Sequence, residues 1–474
     1  MLSQEKKVPA ASPAQGSESP NRPNVLVIYC DQWRWDCLGA AGNTQIHTPH
    51  LDRLAADGAH FANSFCSLPV CTPSRYSLLS GLAVHQHLGW GNRNTLPPGI
   101  ETFPRALRRA GYRTRAVGKM HFTPTYLDVG FDDLELAEQN GAGRYEDDYH
   151  RDLMARGLVD ANDLIDQERE FRSRAPREYW QTFGAQTSNL PEEWHSTTWI
   201  GDRAVQALER WDAGGAHLLM ASFVKPHHPF DPPAPWDRMY DPDSLSLLPG
   251  WVDEQPERDR AYAPGYFRND DLTAPALRRV MASYYATISQ IDHHVGRMLD
   301  LLQQRGLYDR TLVVFTADHG EYLGFHHLLL KSGQMYDPLS RVPLIVKFPV
   351  QASAPPGTTR HLLASNVDMA PTILRQCGID PPAIMSGLDL ADPGAGRPIV
   401  FAENRRGGSY MARSPHHKLL LSRDSRQSLF FDLTADPFEL RNRLDDPEYQ
   451  PLVDELREAL VRWMLFETPT PSYL

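Results

Sequence analysis

Short apolar runs of β-strand length recur along the chain and alternate with amphipathic helical patterns. The runs are dense in Val, Ile and Leu, which is typical of strands covered on both faces of a sheet. This alternation of strand and helix predicts an α/β domain with a largely parallel sheet. The predicted strands are 25–30, 115–117, 216–224, 311–316 and 343–348, and the predicted helices include 49–58, 74–82, 102–110 and 277–305.

The two ends of the chain follow different patterns. Residues 1–23 are polar and rich in Pro and Ser, which predicts a disordered tail before the large α/β domain of residues 24–395. Within that domain, 135–200 and 231–275 have weak periodicity and are predicted to be insertions at the rim of the sheet. Residues 396–474 are predicted to form a small antiparallel sheet with a packed helix. Its segments are 398–403, 409–412, 418–421 and 428–433, followed by a helix over 451–466.

The composition is that of a globular protein, since 41% of the 474 residues are hydrophobic and 23% are charged. A formal net charge of −11 argues against general nucleic-acid binding, because phosphate contacts need a basic surface. The charge leaves room for a small anionic ligand in a local positive pocket. The five cysteines are an odd number without a zinc-type C-x-x-C pair, so neither a disulfide framework nor a zinc finger is indicated. The sequence does not predict the oligomeric state.

Nothing in the hydropathy pattern predicts contact with a membrane. No apolar run is long enough to span a bilayer, and the polar N-terminal segment has no apolar core of a secretory signal. We therefore expect no membrane partner and a cytoplasmic location. The periplasm is the alternative if a native signal peptide has been removed from the sequence.

Polar residues suited to metal and anion binding follow four of the predicted strands. The carboxyl ends of parallel strands lie at one edge of a sheet, where α/β proteins bind their ligands. Asp31, Asp318 and the adjacent His319 suit a divalent cation held by oxygen ligands and one imidazole. The residues that follow the four strands are Asp31 and Gln32, Lys119 and His121, Lys225 and His227, and Asp318 and His319.

Each of these residues also has an ordinary structural explanation. A single aspartate after a strand more often caps a helix or closes a turn, and lysines are usually solvated. Their coincidence at one edge favours a cation site, with anion binding by Lys119 and Lys225. Lysine is also the rarer basic residue, with seven of the 48 Lys and Arg residues. The roles of His228, His326 and His327 stay open between ligand contact and packing.

Cys71 stands near the beginning of a predicted helix, in the segment V-C-T-P-S-R-Y-S-L-L-S-G. Pro73 suits the first turn of a helix, and a helix N-terminus stabilises a developing anion. Arg75 adds a positive charge one turn further on, so these surroundings favour a thiolate. The alternative is a buried and inert cysteine, which is the commoner state of a lone thiol.

The segment C-T-P-S-R resembles the C-x-P-x-R signature of the formylglycine-dependent sulfatases of the alkaline phosphatase superfamily. Further blocks resemble the same family in the same order and extend the likeness over most of residues 24–445. The resemblance implies an alkaline-phosphatase-like α/β fold, with a large mixed, mostly parallel sheet between helices and a small C-terminal antiparallel sheet. The blocks are N-V-L-V-I-Y-C-D-Q, T-P-H-L-D-R-L-A-A-D-G-A-H-F, G-K-M-H-F, K-P-H-H-P-F, A-D-H-G-E with K-S-G-Q-M-Y-D-P-L-S-R after it, and F-D-L-T-A-D-P-F-E-L-R-N-R.

The resemblance also implies a nucleophile and a metal site. Cys71, oxidised to Cα-formylglycine by a maturation enzyme, would supply the attacking oxygen and a metal ligand, and Arg75 would steady it. Many sulfatases carry Asp-Asp and Asp-Asn where this chain has Asp-Gln and Asp-His, and these pairs resemble choline sulfatases and phosphonate monoester hydrolases. The implied cation is Ca²⁺, with Mn²⁺ as the alternative because of the imidazole. The implied metal ligands are Asp31, Gln32, Cys71, Asp318 and His319.

For the substrate, the resemblance implies that Lys119 and Lys331 bind sulfate oxygens. His121 is implied as the base that releases sulfate, and His227 as the group that protonates or stabilises the leaving alcohol. The preferred hypothesis is a sulfatase acting on a small-molecule or saccharide sulfate monoester. The alternatives are a phosphonate monoester or phosphodiester hydrolase with the same formylglycine, and a catalytically silent binding protein. Candidates for a sugar-binding rim are Trp33, Trp35, Trp90, Asn92, Arg93 and Asn94, with Arg405 and Arg406.

Overall fold

The computed structural model describes residues 22–139, 146–262, 266–350, 355–404 and 407–470 of the chain. The predicted tail and the pair Arg405 and Arg406 therefore lie outside the described residues, apart from residues 22 and 23. The strands are β1 Asn24–Asp31, β2 Ala59–Phe65, β3 Arg113–Gly118, β4 Asp133–Leu136, β5 His217–Pro226, β6 Thr311–Ala317, β7 Arg341–Val342, β8 Leu344–Lys347, β9 Thr358–Ser365, β10 Val400–Asn404, β11 Ser409–Arg413, β12 His417–Ser422 and β13 Leu429–Asp432.

Helices occupy much of the remaining described chain, and none of these helices is both long and apolar enough to cross a membrane. The longest, α11, follows the cap Thr273, whose hydroxyl accepts from the backbone N–H of Ala276. The helices are α1 Pro49–Asp57, α2 Cys71–Ser80, α3 Val84–His87, α4 Phe103–Arg109, α5 Asp148–Ala155, α6 Ala161–Gln167, α7 Arg169–Arg172, α8 Arg177–Gln181, α9 Ser196–Glu209, α10 Glu257–Tyr262, α11 Ala274–Gln304, α12 Asp337–Ser340, α13 Met369–Gln376 and α14 Gln450–Arg462.

Nine of the described strands form one sheet in the order β4-β3-β5-β1-β6-β8-β2-β7, with β9 paired to β2. The central strand β1 is parallel to both of its neighbours, β5 and β6. The strand β8 runs antiparallel to β6 and β2, which makes the sheet mixed but mostly parallel. The predicted α/β fold class is therefore confirmed.

Alternate residues of β1 enter two separate hydrophobic cores. One core contains residues of α9 and α11, and the other contains residues of α2, α4 and α13. Because both faces of the strand are covered, its sequence is an unbroken apolar run. The residues in the first core are Leu26, Ile28 and Cys30, and those in the second are Val25, Val27 and Tyr29.

Several elements differ from the sequence-based expectations. The helix predicted from residue 74 begins at Cys71, because Pro73 fits within the first turn of α2 and needs no hydrogen-bond donor there. The strands β2 and β9 were not predicted, since polar residues interrupt both and β9 is partly exposed. The predicted insertion at 135–200 runs into the helix α9, whose first turns bury Trp199 and Ile200.

The C-terminal segment forms the predicted antiparallel sheet with its helix. The strands β10 to β13 follow one another in space as in sequence. Residues such as Met411 and Phe431 pack on one face against Tyr322 of the large domain, and residues such as Leu419 pack on the other against α14. The predicted boundary at residues 395 and 396 stays a prediction.

A largely buried ion network joins the C-terminal antiparallel sheet to the rest of the described chain. Asp337, at the start of α12, lies 2.8 Å from Lys418 Nζ and 3.0 Å from a guanidinium nitrogen of Arg413. Lys418 also lies 2.8 Å from Glu439. Burial raises the pKa of Asp337, but Arg413 and Lys418 outweigh burial and hold the pKa below its ordinary value. The contribution of Asp337 to stability is therefore present above the ordinary carboxyl pKa and is lost as the pH falls through the folded value.

We expect Asp337→Asn to lower the free energy of unfolding by about 3–5 kcal/mol at neutral pH, because two buried cations lose their shared anion. Urea unfolding followed by circular dichroism measures this change. The matched control is Asp300→Asn, which removes a half-exposed pair with Arg53 and is expected to cost less than about 1 kcal/mol. Equal effects of the two substitutions would contradict a stabilising role for the network.

Candidate active site

The carboxyl ends of β1 and β6 bring three predicted metal ligands together. Asp31 is the last residue of β1, and Asp318 and His319 follow β6 directly. With Cys71 they form a buried group whose ligand atoms all lie within 4.8 Å of one another. The sheet topology thus places residues that are far apart in sequence at one point.

Cys71, the first residue of α2, is 1% exposed. Its Sγ lies 3.1 Å from Lys331 Nζ, 3.4 Å from His319 Nε2 and 3.7 Å from Asp31 Oδ1. Burial by itself raises the pKa of the thiol, but the ammonium groups of Lys331 and Lys119 outweigh burial and hold this pKa well below its ordinary value. These surroundings favour the reactive alternative over an inert buried thiol.

Arg75 is a buried cation that bridges the two aspartates. Its guanidinium lies 3.1 Å from Asp31 Oδ2 and 2.9 Å from Asp318 Oδ2, and it donates to the carbonyl oxygen of Lys119 at 2.6 Å. The Tyr29 ring packs against the guanidinium at 4.9 Å from its centroid. Burial raises the pKa of Asp31, but the positive charges of Lys119 and Arg75 outweigh burial and hold this pKa below its ordinary value.

Two of the predicted anion-binding lysines reach this cluster. Lys119 is fully buried, and its Nζ lies 2.6 Å from Asp31 Oδ2 and 3.0 Å from Gln139 Oε1. Lys331 Nζ lies beside Cys71 Sγ, as given above, and is only partly buried. The two ammonium groups therefore surround the thiol with positive charge, which suits a bound anionic ester.

His227 presents one defined nitrogen to the cluster. Its Nδ1 lies 2.7 Å from the carbonyl oxygen of His228, which only accepts hydrogen bonds, so Nε2 faces Lys331 Nζ at 3.1 Å. Burial and the Lys331 ammonium lower the pKa of His227 well below its ordinary value. The His228 ring stacks on that of His227 at 4.1 Å, and its own Nε2 pairs with Asp166 at 3.1 Å.

His121 is held mainly through its backbone. The residue has a left-handed φ of 58°, its N–H donates to Glu138 Oε1 at 2.9 Å, and its carbonyl oxygen accepts from Thr72 Oγ1 at 2.7 Å. Its side chain also contributes to the low pKa of Cys71 by hydrogen bonding. The residue is 5% exposed, so its imidazole is shielded from solvent.

The donors in this cluster fit a divalent cation. His319 Nδ1 lies 2.9 Å from the carbonyl oxygen of Gly320, which leaves the lone pair on Nε2 beside Cys71. Gln32 is fully buried, and its Oε1 has no hydrogen-bond partner among the described residues. A buried acceptor without a donor, beside two carboxylates and an imidazole, suits a cation that prefers oxygen ligands.

The structure corrects the anion-binding prediction for Lys225. Its Nζ lies 2.5 Å from Asp231, 3.5 Å from Asp163 and 2.9 Å from the carbonyl oxygen of Pro229. These three acceptors occupy the donors of the ammonium group, which is 1% exposed. Lys225 therefore supports the turn that carries His227 and is not placed to bind substrate.

Two further open roles are decided in favour of packing. His326 bonds to Asp259 and to the carbonyl oxygen of Phe438, and His327 bonds to two other backbone carbonyl oxygens. Trp33 is fully buried against a core phenylalanine, so it does not line a sugar-binding rim.

The predicted rim residue Asn94 lies exposed on a loop near α2. The Tyr76 hydroxyl donates to the carbonyl oxygen of Asn94 at 3.0 Å. On the same loop, Asn92 Oδ1 accepts from the N–H of Thr72, the neighbour of Cys71, at 3.2 Å. Substrate binding by Asn94 stays a prediction.

Supporting residues were missed from sequence because their strand was missed. Glu138 and Gln139 follow the short strand β4 and contact the loop of Lys119 and His121. A search for polar residues directly after each strand would have identified both of them if β4 had been predicted. In the sequence, Glu321 stands out only as the last residue of the motif A-D-H-G-E, yet in the structure it contacts Gln32.

A large mixed, mostly parallel sheet with a separate four-stranded antiparallel sheet is an alkaline-phosphatase-like fold. Solved structures with this fold cover nearly the whole chain. More particularly, the family model described as Sulfatase matches residues 23–379, well over half of the sequence. The chain belongs to the sulfatase family, whose members are enzymes that hydrolyse sulfate esters.

Individual relatives agree with this membership. The chain is 30% identical over 471 residues to an arylsulfatase of Clostridium perfringens, with 93% of this chain and 94% of the relative covered. It is 26% identical over 500 residues to an N-acetylglucosamine-6-O-sulfatase of Bacteroides thetaiotaomicron, with 94% and 86% covered. A phosphonate monoester hydrolase of Agrobacterium radiobacter shares the fold, with a TM-score of 0.76, 24% identity, and 93% and 95% of the two chains covered.

Proposed function

We propose that the protein cleaves a sulfate monoester with Cα-formylglycine, which a maturation enzyme makes from Cys71, and with a bound divalent cation. The observation that carries this proposal is the position of Cys71 Sγ, 3.1 Å from Lys331 Nζ and within reach of the cation donors Asp31 and His319. A formylglycine hydrate supplies one hydroxyl as nucleophile and a second that later expels sulfate by C–O cleavage. A cation supplies positive charge that lowers the pKa of the nucleophile.

The surrounding residues divide the remaining work. Lys119 and Lys331 bind the sulfate oxygens and stabilise their charge in the transition state. His227, through Nε2, delivers a proton to the departing alcohol oxygen, and His121 removes a proton when sulfate is expelled. Arg75 holds the two aspartates at a fixed separation.

The cation we propose is Ca²⁺, held by Asp31, Gln32, Asp318, His319 and the modified Cys71. Asp31, Gln32, Asp318 and the formylglycine made from Cys71 offer oxygen ligands, which Ca²⁺ prefers. The imidazole of His319 also makes Mn²⁺ a reasonable occupant. The two ions are therefore to be compared directly.

The substrate class we propose is a sulfated carbohydrate. Support comes from the relative named as an N-acetylglucosamine-6-O-sulfatase and from the exposed loop that carries Asn92 and Asn94 close to α2. That loop offers amide groups suited to sugar hydroxyls. The arylsulfatase relative makes an aryl sulfate a suitable model substrate.

A second candidate function is hydrolysis of phosphonate monoesters or phosphodiesters at the same site. The pairs Asp31-Gln32 and Asp318-His319 support it, because they resemble phosphonate monoester hydrolases as well as choline sulfatases and differ from the pairs of many other sulfatases. The two functions need the same nucleophile and cation. Only rates on matched esters separate them.

The first test is the mass of the tryptic peptide 54–75, isolated from protein produced together with a formylglycine-generating enzyme. We expect the thiol group of Cys71 to be replaced by an aldehyde, whereas Cys66 in the same peptide still reacts with an alkylating reagent. The second test compares kcat/KM for an aryl sulfate, a phosphodiester and a phosphonate monoester. An unmodified thiol at Cys71, or a lower kcat/KM for the sulfate than for the phosphorus esters, would contradict the proposal.

A further inference from the structure

Glu321 is a buried carboxylate between the cation ligands and the loop that carries Lys331. It follows Gly320 and is 0% exposed. An added Cβ at Gly320 would lie 2.0 Å from the carbonyl oxygen of Pro338, so only glycine allows this close approach. The backbone thus places Glu321 directly behind the active site.

Three N–H donors converge on Glu321. The Gln32 amide donates to Oε2, and the backbone N–H groups of Leu323 and Leu330 donate to Oε1, the former at 3.0 Å. An ionised carboxylate only accepts hydrogen bonds and can satisfy all three. The two backbone N–H groups therefore hold Oε1, and Oε2 is left to the Gln32 amide.

The same contact dictates how the Gln32 amide is turned. The backbone of Gln32 is fixed, because its N–H donates to Asp318 Oδ1 at 3.0 Å and its carbonyl oxygen accepts from Tyr284 Oη at 2.6 Å. Its φ of 64° is left-handed, which is uncommon for a residue other than glycine. Since Glu321 requires the NH₂ end of the amide, Oε1 is the end that remains, and it has no donor among the described residues.

On its other side, Glu321 closes the loop that delivers Lys331. We call residues 322–331 the Lys331 loop. The carboxylate binds this loop near both ends, at Leu323 and Leu330, and both residues have a left-handed φ, of 42° and 63°. The loop ends with Lys331 Nζ beside Cys71 Sγ.

We infer that Glu321 is a positioning residue that turns the Gln32 amide oxygen toward the cation and at the same time holds the Lys331 loop in place. This inference rests on the proposed function, because it assigns Gln32 as a cation ligand. Glu321 thereby positions both a ligand of the cation, Gln32, and a sulfate-binding residue, Lys331.

The substitution Glu321→Gln tests the inference through the chemistry of the amide. Its oxygen can still accept from Leu323 and Leu330, but its NH₂ group would face the NH₂ group of Gln32. Gln32 would then turn over and present NH₂ to the cation. Ca²⁺ alone, titrated calorimetrically into the chelator-treated full chain, is expected to bind about 10- to 100-fold more weakly, as for other residues that orient a metal ligand.

The exchange variant Gln32→Glu with Glu321→Gln distinguishes loss of the hydrogen bond between the two side chains from a general disturbance of their packing. It keeps the net charge and restores the hydrogen bond with donor and acceptor reversed, so most of the lost Ca²⁺ affinity should return. The matched control is Glu403→Gln, a buried carboxylate bonded to His85 and not to the cluster, which should leave Ca²⁺ affinity unchanged. Hydrogen exchange provides a second measurement, since Ca²⁺ should slow exchange at Leu323 and Leu330 in the wild type but not in Glu321→Gln.

The outcomes distinguish this inference from the proposed function, because no ester is used. Wild-type affinity in Glu321→Gln, or an exchange variant that folds but binds Ca²⁺ no better than Glu321→Gln, would overturn the role of Glu321. If Glu321→Gln does not fold, the exchange variant decides alone, and wild-type-like affinity in it supports the inference. Failure of the wild type to bind either Ca²⁺ or Mn²⁺ would overturn the proposed cation site itself.

Discussion

Replacing Cys71 by alanine is expected to lower kcat/KM for an aryl sulfate by a factor of about 10⁴ or more, as expected when the nucleophile of an enzyme is removed. The methyl group of alanine cannot be converted to an aldehyde, so the site loses its attacking oxygen. The fold should survive, because α2 keeps its first residue and the remaining cluster of Asp31, Asp318 and Arg75 is untouched. Initial rates and a far-UV circular dichroism spectrum of the same sample measure both expectations.

The matched control for this substitution is Cys66→Ala. Cys66 is also fully buried and lies close to α2 in sequence, but burial raises the pKa of its thiol to well above the ordinary value. It has no place in the proposed chemistry, so kcat/KM should stay within a few-fold of wild type. Residual activity of Cys71→Ala near that of Cys66→Ala would contradict the formylglycine mechanism.

The large-scale fold and the cation cluster could be predicted from sequence for the same physical reason. A strand covered on both faces must be apolar throughout, so β1, β5 and β6 stand out, and polar residues directly after them lie at one edge. Asp31 and Asp318 follow this logic. The edge strand β9 and the short β4 do not, because partial exposure or brevity removes the pattern.

The direction of a side chain at that edge could not be predicted. Lys119 follows β3 and Lys225 lies at the end of β5, yet of these two lysines only Lys119 reaches Asp31. Lys225 instead pairs with Asp231, six residues further along the chain. The choice depends on whether a nearby carboxylate captures the ammonium group, and this is a matter of three-dimensional distance that strand position alone does not encode.

Replacing His227 by glutamine is expected to lower activity by an amount that depends on the leaving group. Loss of a proton donor costs about 10²- to 10⁴-fold where the departing oxygen needs a proton. The full loss is therefore expected for sulfates of aliphatic alcohols such as sugars. An aryl sulfate with an acidic phenol should lose much less, because a phenolate leaves without a proton.

The geometry explains why the substitution by glutamine tests proton transfer separately from hydrogen bonding. His227 Nδ1 is committed to the carbonyl oxygen of His228, so only Nε2 can face an ester held by Lys331. Glutamine retains a hydrogen-bond donor in this region but has no transferable proton near neutral pH. Burial and Lys331 lower the pKa of His227, and the negative charge of a bound sulfate ester opposes this effect by favouring the imidazolium.

The measurement is the dependence of log kcat/KM on the pKa of the leaving alcohol in a series of sulfate esters, which should be steeper in His227→Gln than in wild type. The control is His228→Gln, since the His228 ring stacks on that of His227 and its Nε2 bonds to Asp166 rather than to a residue of the cluster. That control should lower rates uniformly and leave the slope unchanged. An unchanged slope in His227→Gln would mean that the proton comes from another group, and Lys331, at 3.1 Å from His227 Nε2, would then be the residue to test next.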